Sequence, residues 1–232
     1  MQISKRLKTV ASFVTEGYRV ADIGTDHAYV PIYLMLEGRI PQALAMDVRK
    51  GPLDRASCHI REQGLEGRIE TRLSDGLSAY RQGEADSIVI AGMGGALIVR
   101  ILSEGKDWSE GVKELILSPQ SELFLVRQWL REHDWRIERE RMLSEDGKYY
   151  TVMRAVPGPS AAAGRLEDYY GKYLLEHRHP VLKEYLLKEK ETLHRILAAL
   201  TAEQGRHIEI RQKELKDRLL LTEEALSYYE MQ

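Results

Sequence analysis

Cysteine is almost absent: Cys58 is the single one among 232 residues. That excludes an internal disulfide and any cysteine-rich zinc site, and no other metal site is suggested. The A-S-C-H-I setting of Cys58 on a helical pattern predicts a small packing residue. No apolar run approaches the length of a membrane span, and the opening M-Q-I-S-K-R-L-K-T-V lacks the apolar core of a signal peptide. A cytoplasmic protein is therefore expected. Excess charge is missing too. A formal net charge of -2 excludes a uniformly basic nucleic-acid binder, although a local basic face fits within a neutral total.

What is present is enough for a real core: 43% hydrophobic residues in a length suited to one good-sized domain plus an appendage, or two small ones. The stretch Y-R-V-A-D-I-G-T-D-H-A-Y-V, Tyr18 to Val30, anchors the reading. A short apolar strand (Val20, Ala21, Ile23) breaks at Gly24-Thr25-Asp26. A helix with Ala28, Val30, Ile32, Leu34, Met35 and Leu36 then follows, with Pro31 in its first turn and Gly38 placed to end it. In an open parallel α/β sheet such a turn lies at the carboxyl edge where nucleotide-like ligands bind. The dinucleotide fingerprint G-x-G-x-x-G fails here, because its second glycine position, 26, is Asp. Asp22 and Asp26 beside Gly24 would repel a pyrophosphate. They suit a cationic ligand instead, such as S-adenosylmethionine with its ammonium and sulfonium; an ordinary α/β turn is the plain alternative.

The strand Ala43 to Val48 closes on Asp47, about 20 residues past the first turn, where an acid can accept both ribose hydroxyls; capping the next helix near Gly51-Pro52 is the alternative. A helix from Leu53 to Gln63 and a strand from Ile69 to Leu73 lead to Ser74-Asp75-Gly76, either an approach to an adenine edge or a plain turn. Asp86 to Ala91 is a nearly continuous apolar run, the pattern of a strand buried on both faces. The Gly92-Met93-Gly94-Gly95 after it predicts close approach to a ligand rather than packing. The alternation continues with a helix from Ala96 to Leu102, a strand from Leu115 to Pro119 and a helix from Leu123 to Glu132. Two β-rich runs, Trp135 to Met142 and Tyr149 to Ala155, close it around Glu145-Asp146-Gly147-Lys148, a hairpin connection. This α/β class is the Rossmann-like layout of a class I methyltransferase, with an antiparallel edge hairpin.

The expected domains are residues 1–156 for the cofactor-binding part, a Pro/Gly/Ala linker over 157–164, and a helical arm over 165–232. Before the first strand, Ser4 to Val14 reads as a helix with Leu7, Val10, Ala11 and Val14 on one face. The arm reads as helices from Leu166 to His177, from Val181 to Ala202 and from Ile208 to Tyr229. The second turns Leu182, Leu186, Leu193, Ile196, Leu197 and Leu200 inward. The third carries Leu215, Leu219 and Leu226 at coiled-coil-like spacing. Two such helices make an antiparallel hairpin. Its role is open between packing or dimerisation and holding RNA through Lys183, Lys188, Lys190, Arg195, Arg206, Arg211, Lys213, Lys216 and Arg218.

The segments S-K-R-L, V-A-D-I-G-T-D-H-A-Y-V-P-I-Y-L, M-D-V-R-K-G-P-L, S-D-G-L, I-A-G-M-G-G, L-S-P-Q and E-D-G-K-Y-Y occur in order between residues 4 and 150. Together they resemble the bacterial tRNA (adenine(22)-N1)-methyltransferases, Val30 and Gln120 being minor departures within those segments. The resemblance implies methyl transfer from S-adenosylmethionine to N1 of an adenine in tRNA. It implies that Asp22, Gly24, Thr25, Asp26 and His27 surround the methionine part, that Asp47, with Val48 beside it, holds the ribose, and that Asp75 and Gly76 flank the adenine. Ala91, Gly92 and Met93 would line the methyl-transfer side. The lone pair on adenine N1 needs no strong base, so Asp26 is the candidate electrostatic catalyst, with partnering the cofactor's ammonium alone as the alternative, and His27 and Tyr29 are orienting or stacking groups. The D/N-P-P-Y signature of N6-adenine methylation is absent after the fourth strand. The rival readings are a small-molecule methyltransferase and a non-catalytic RNA-binding protein that senses the cofactor.

Overall fold

Strands buried on both faces order the chain. The computed structural model describes residues 1–200 and 205–230, and in it five short segments, four of them apolar and buried and the edge one half-exposed, form a parallel sheet. These are β1 (Val20–Ile23), β2 (Ala43–Asp47), β3 (Ile69–Leu73), β4 (Ser87–Ala91) and β5 (Glu114–Ser118). The antiparallel pair β6 (Trp135–Glu145) and β7 (Lys148–Pro157) completes a seven-stranded sheet of order β3-β2-β1-β4-β5-β7-β6. Helices α1 (Lys5–Phe13), α2 (Tyr29–Leu36), α3 (Lys50–Glu62), α4 (Gly95–Glu104) and α5 (Leu123–Glu132) flank it. Side-chain alternation divides the core between the two faces. Ile88 and Ile90 of β4 pack with Ile98, Ile101 and Leu130 on one side. Val89 packs with Val10, Ile32 and Ile60 on the other.

The chain runs outward from β1 to β3 and then returns to place β4 on the other side of β1. That reversal leaves a crevice between the carboxyl ends of β1 and β4, where open α/β sheets hold ligands. Gly24 ends β1 and Gly92 ends β4, both with positive φ. The hairpin is tighter than its four-residue signature suggests. Glu145 pairs directly with Lys148, so Asp146 and Gly147 alone make the turn, both at positive φ as a type I′ turn requires. Glu145 then accepts the free N–H groups of Lys5 and Arg6 at the start of α1, while Ser4 Oγ accepts from Leu7.

Two local expectations are corrected. Helix α3 begins at Lys50 rather than Leu53, because Pro52 falls in the first turn, where its missing N–H costs nothing. Cys58 is exposed rather than packed, since the buried face of α3 is Pro52, Leu53, Ala56 and Ile60. The connection from β3 to β4 is a run of turns without a helix.

The chain divides into two compact units, Met1–Ala161 and Ala162–Gln232. In the second, the expected helix from Leu166 to His177 is two: α6 (Arg165–Tyr170) and α7 (Lys172–Glu176), split by Gly171 at φ 87. Helices α8 (Pro180–Leu200) and α9 (Arg206–Ser227) pack as an antiparallel pair, with Lys190 bridged to Glu223 and Gln212 donating to the carbonyl of Leu200. The last two residues of the helix expected to end at Ala202 lie outside the described residues. Leu182, Leu186 and Leu193 are buried as expected, but Ile196 is exposed and Leu197 and Leu200 only half-buried. The base of the pair is covered by α6, whose Tyr170 hydroxyl reaches Glu189 and Thr222. Burial beside Glu189 pushes the Tyr170 hydroxyl well above its usual range.

Candidate active site

A cavity of about 390 Å³ opens at the β1/β4 crevice, inside the size range of small-molecule sites. Of the residues expected there, Gly24, Asp26, Asp47, Val48, Asp75, Gly76, Ala91, Gly92 and Met93 line it. Asp22 and Thr25 do not and are buried, and His27 and Tyr29 do not line it either. The backbone N–H groups of Gly24 and Thr25 donate to the carbonyl of Met46 at 2.7 and 2.9 Å, which bends the chain sharply off β1. A Cβ on Gly24 would collide with the end of the Met93 side chain, so the two glycine-bearing turns touch across the crevice. The same turn carries Asp26 and Ala28 at positive φ, a strained conformation for residues with side chains.

Asp22 is buried under that turn and accepts a 2.6 Å hydrogen bond from the Thr25 hydroxyl. Burial raises its carboxyl to about 6, against the lowering effect of Thr25 and helped by nearby Asp47. The Asp26 carboxylate is exposed and held by Arg55 at 2.7 Å, with His27 Nε2 at 3.5 Å. The rings of His27, Tyr29 and His59 stack on one another with centroids 4.9 to 5.4 Å apart, and His59 Nδ1 lies 3.2 Å from the carbonyl of His27. His27 and Tyr29 thus fix the loop that carries Asp26.

Asp47 is buried at the end of β2. Its Oδ1 accepts the N–H of Arg49 at 2.8 Å, while Oδ2 has no protein donor among the described residues. Asp47 lines the cavity, and its bond to the Arg49 N–H does not cap α3, whose start carries no side-chain cap. Asp75 pairs with Arg100 at 3.3 Å. Gly76 has a packing role as well, because a Cβ there would press on Ile101 at 2.9 Å. The glycine run after β4 splits its duties. Gly92 and Met93 line the cavity, whereas Gly95 lets the Ser121-Glu122 backbone pass and Gly94 lies against the Ser121 side chain, contrary to the expectation that packing does not need them.

Sequence reasoning missed Ile23, Arg49, Leu97, Arg100 and Ile101 on the wall, and Arg55 and His59 beside Asp26. Helical spacing carried part of the signal: Leu97, Arg100 and Ile101 share one face of α4, as Arg55 and His59 share one of α3. The acceptors fit S-adenosylmethionine: a buried acid with a free oxygen for a ribose diol, and Asp22 and Asp26 at the other end for a cation. Among the described residues, no group of three or more His, Cys, Asp or Glu side chains is placed to share a metal ion. No described helix is long and apolar enough to cross a membrane.

Residues 3–153 match the family model described as a methyltransferase domain. The chain is 37% identical over 240 residues to the tRNA (adenine(22)-N(1))-methyltransferase of Bacillus subtilis, covering 98% of each chain. The crystal structure of the B. subtilis m1A22 tRNA methyltransferase TrmK superposes with a TM-score of 0.87 at 34% identity, over 97% of this chain and 99% of that one. The structure of M. capricolum TrmK in complex with S-adenosyl-homocysteine gives 0.86 at 28% identity, over 98% of this chain and 99% of that one.

Proposed function

The chain belongs to the family of SAM-dependent tRNA (adenine(22)-N1)-methyltransferases, and on that premise we propose how its own residues carry out methyl transfer to N1 of adenine 22 in tRNA. The observation that carries the reading is end-to-end similarity to that enzyme, joined to a cavity whose acidic wall suits a cationic nucleoside cofactor. S-adenosylmethionine supplies a methyl group on a positively charged sulfur, which leaves as a neutral thioether.

Asp47 accepts from the ribose hydroxyls through its free Oδ2, with Val48 beside it. Asp22 and Thr25, under the Gly24 turn, offset the positive charge at the methionine end. Asp75 and Gly76 border the adenine, and Ala91, Gly92 and Met93 leave room at the reacting side. The target N1 keeps its lone pair at neutral pH, so the protein's work is alignment and charge stabilisation rather than proton removal. Positive charge shifts from sulfur to the methylated ring as the bond forms. Asp26 is the carboxylate assigned to that charge, held in place by Arg55 and by the stacked His27 and Tyr29. N1 lies on the pairing edge, so the base must be unpaired to enter.

Incubating the full chain with methyl-labelled cofactor and unmodified total tRNA tests the reading. Label is expected in tRNA. Label confined to small molecules, or cofactor binding without transfer, would overturn it.

A further inference from the structure

Sheet order separates the two sides of the cavity. Asp47 and Asp75 stand at the ends of β2 and β3, while Gly92 and Met93 stand at the end of β4; β5 lies one strand further in the same direction. A cofactor whose ribose is held by Asp47 occupies the first side. The methyl acceptor must then enter over β4 and β5. Two side chains from distant parts of the sequence meet there. A Cβ on Gly92 would lie 3.5 Å from Arg6 Nη1 and 3.8 Å from Gln120 Nε2.

Both are well placed and have unused hydrogen-bonding groups. The backbone of Gln120 is tied to the cavity wall by its N–H donating to the carbonyl of Met93 at 2.8 Å, and Gly92 N–H donates to Ser118 at 3.1 Å. The Gln120 amide itself is exposed and has no protein partner among the described residues. Arg6 rides on the first turn of α1, whose start is clamped by Glu145, and its guanidinium lies 5.4 Å from the centroid of the Tyr150 ring. Among the described residues no carboxylate or carbonyl accepts from that guanidinium, so half-buried Arg6 brings a charge and unused donors to the Gly92 turn.

We infer that Arg6 and Gln120 form the substrate-binding lip, with Gln120, a departure from the family's pattern, as this chain's own selective contact to adenine and Arg6 holding a phosphate of the flipped nucleotide. This rests on the tRNA-methyltransferase reading. A primary amide pairs with adenine in a bidentate way, accepting from N6 and donating to N7. That pairing uses the edge next to N1 and leaves the N1 lone pair free to face the cofactor. Guanine offers two acceptors, O6 and N7, so the amide oxygen meets no donor; its N1 also carries a proton. Arg6 suits the backbone rather than the base, since a cation beside the ring would oppose the charge that develops there, whereas a phosphate gains from it.

The test uses the full chain, saturating cofactor, and two tRNAs, one with adenosine and one with 7-deazaadenosine at the target position. The deaza base lacks the N7 acceptor. With wild type, the single-turnover rate should fall on the deaza tRNA by a factor within roughly 5 to 150, the range for a bidentate base contact. Gln120→Ala should show that fall already on ordinary tRNA and little further loss on the deaza tRNA, with cofactor affinity unchanged. If Gln120→Ala fails to bind cofactor, the near-isosteric Gln120→Glu carries the same comparison, because it cannot donate to N7. Arg6→Ala should leave the deaza penalty intact while tRNA affinity drops and the salt slope shrinks by about 0.7 to 0.9. A Gln120 variant that keeps the wild-type rate, or suffers the full deaza penalty on top of its own loss, overturns the inference. Wild type inactive on both tRNAs would instead overturn the methyltransferase reading on which it rests.

Discussion

Replacing Asp22 with asparagine, and following cofactor affinity against pH, probes the buried charge beneath the Gly24 turn. Burial raises the Asp22 carboxyl from 3.8 to about 6 in the free protein. A shift of roughly two units corresponds to about 3 kcal/mol between the two protonation states. The sign follows from proton uptake: the folded form binds the proton more tightly than the unfolded chain. The extra stability is therefore full below about pH 4 and is lost as pH rises through about 6. At neutral pH the free protein carries a buried carboxylate whose cost a cationic ligand can offset. If the methionine end keeps Asp22 ionised, affinity at pH 5 should be about tenfold weaker than at pH 7, with proton release on binding near pH 5.5. Calorimetry in buffers of different ionisation enthalpy measures both, kept at or below pH 7 so that the ligand's amino group stays charged. Asp22→Asn should remove the pH slope and raise the melting temperature of the free protein at pH 7, with the two proteins converging near pH 4. Affinity independent of pH in the wild type, with no proton exchanged, would refute the reasoning.

Asp47→Ala should weaken cofactor binding roughly 10- to 150-fold, the loss of hydrogen bonds to a charged acceptor, while circular dichroism stays unchanged; equal affinity by calorimetry would remove Asp47 from the site. Asp26→Asn keeps the contact with Arg55 through its oxygen but lowers the charge, so the single-turnover rate at saturating cofactor and tRNA should fall with little change in cofactor affinity. Recovery of the wild-type rate there would make Asp26 a binding group and shift attention to His27 and Tyr29. In the arm, Lys188, Lys190, Arg211 and Arg218 are already paired with acids. Lys213 and Lys216 are exposed, and converting both to Glu should weaken tRNA binding and flatten its salt dependence; an unchanged salt slope by filter binding would return the arm to a packing role.

The strands were legible because a sheet covered on both faces demands runs such as Ser-Ile-Val-Ile-Ala, and the turns that interrupt them carry Gly24, Gly76 and Gly92 at positive φ. Local ambiguity explains the errors. Gly51-Pro52 reads as a breaker, yet the first turn of a helix tolerates both. Gly171 splits a helix whose apolar period runs through it unbroken. The cavity wall was legible where it lies at strand ends, since topology alone brings Asp47 and Ala91 to one edge. What escaped depends on contacts between distant residues. The stack of His59 on His27, the clamp of Arg55 on Asp26, and the meeting of Arg6 with Gln120 each join segments that no spacing rule connects. The three glycines after β4 looked alike in sequence and differ in duty because the Ser121-Glu122 backbone passes against Gly95, their side chains beside Gly94, and the cavity beside Gly92.

The central claim is the site of modification. Unmodified tRNA treated with the full chain and cofactor, digested at neutral pH and resolved by mass spectrometry of its nucleosides, should yield 1-methyladenosine as the sole new product. Primer extension on the same tRNA should stop at position 22 only. A methyl group on N6, on another base, or at another position would contradict the account.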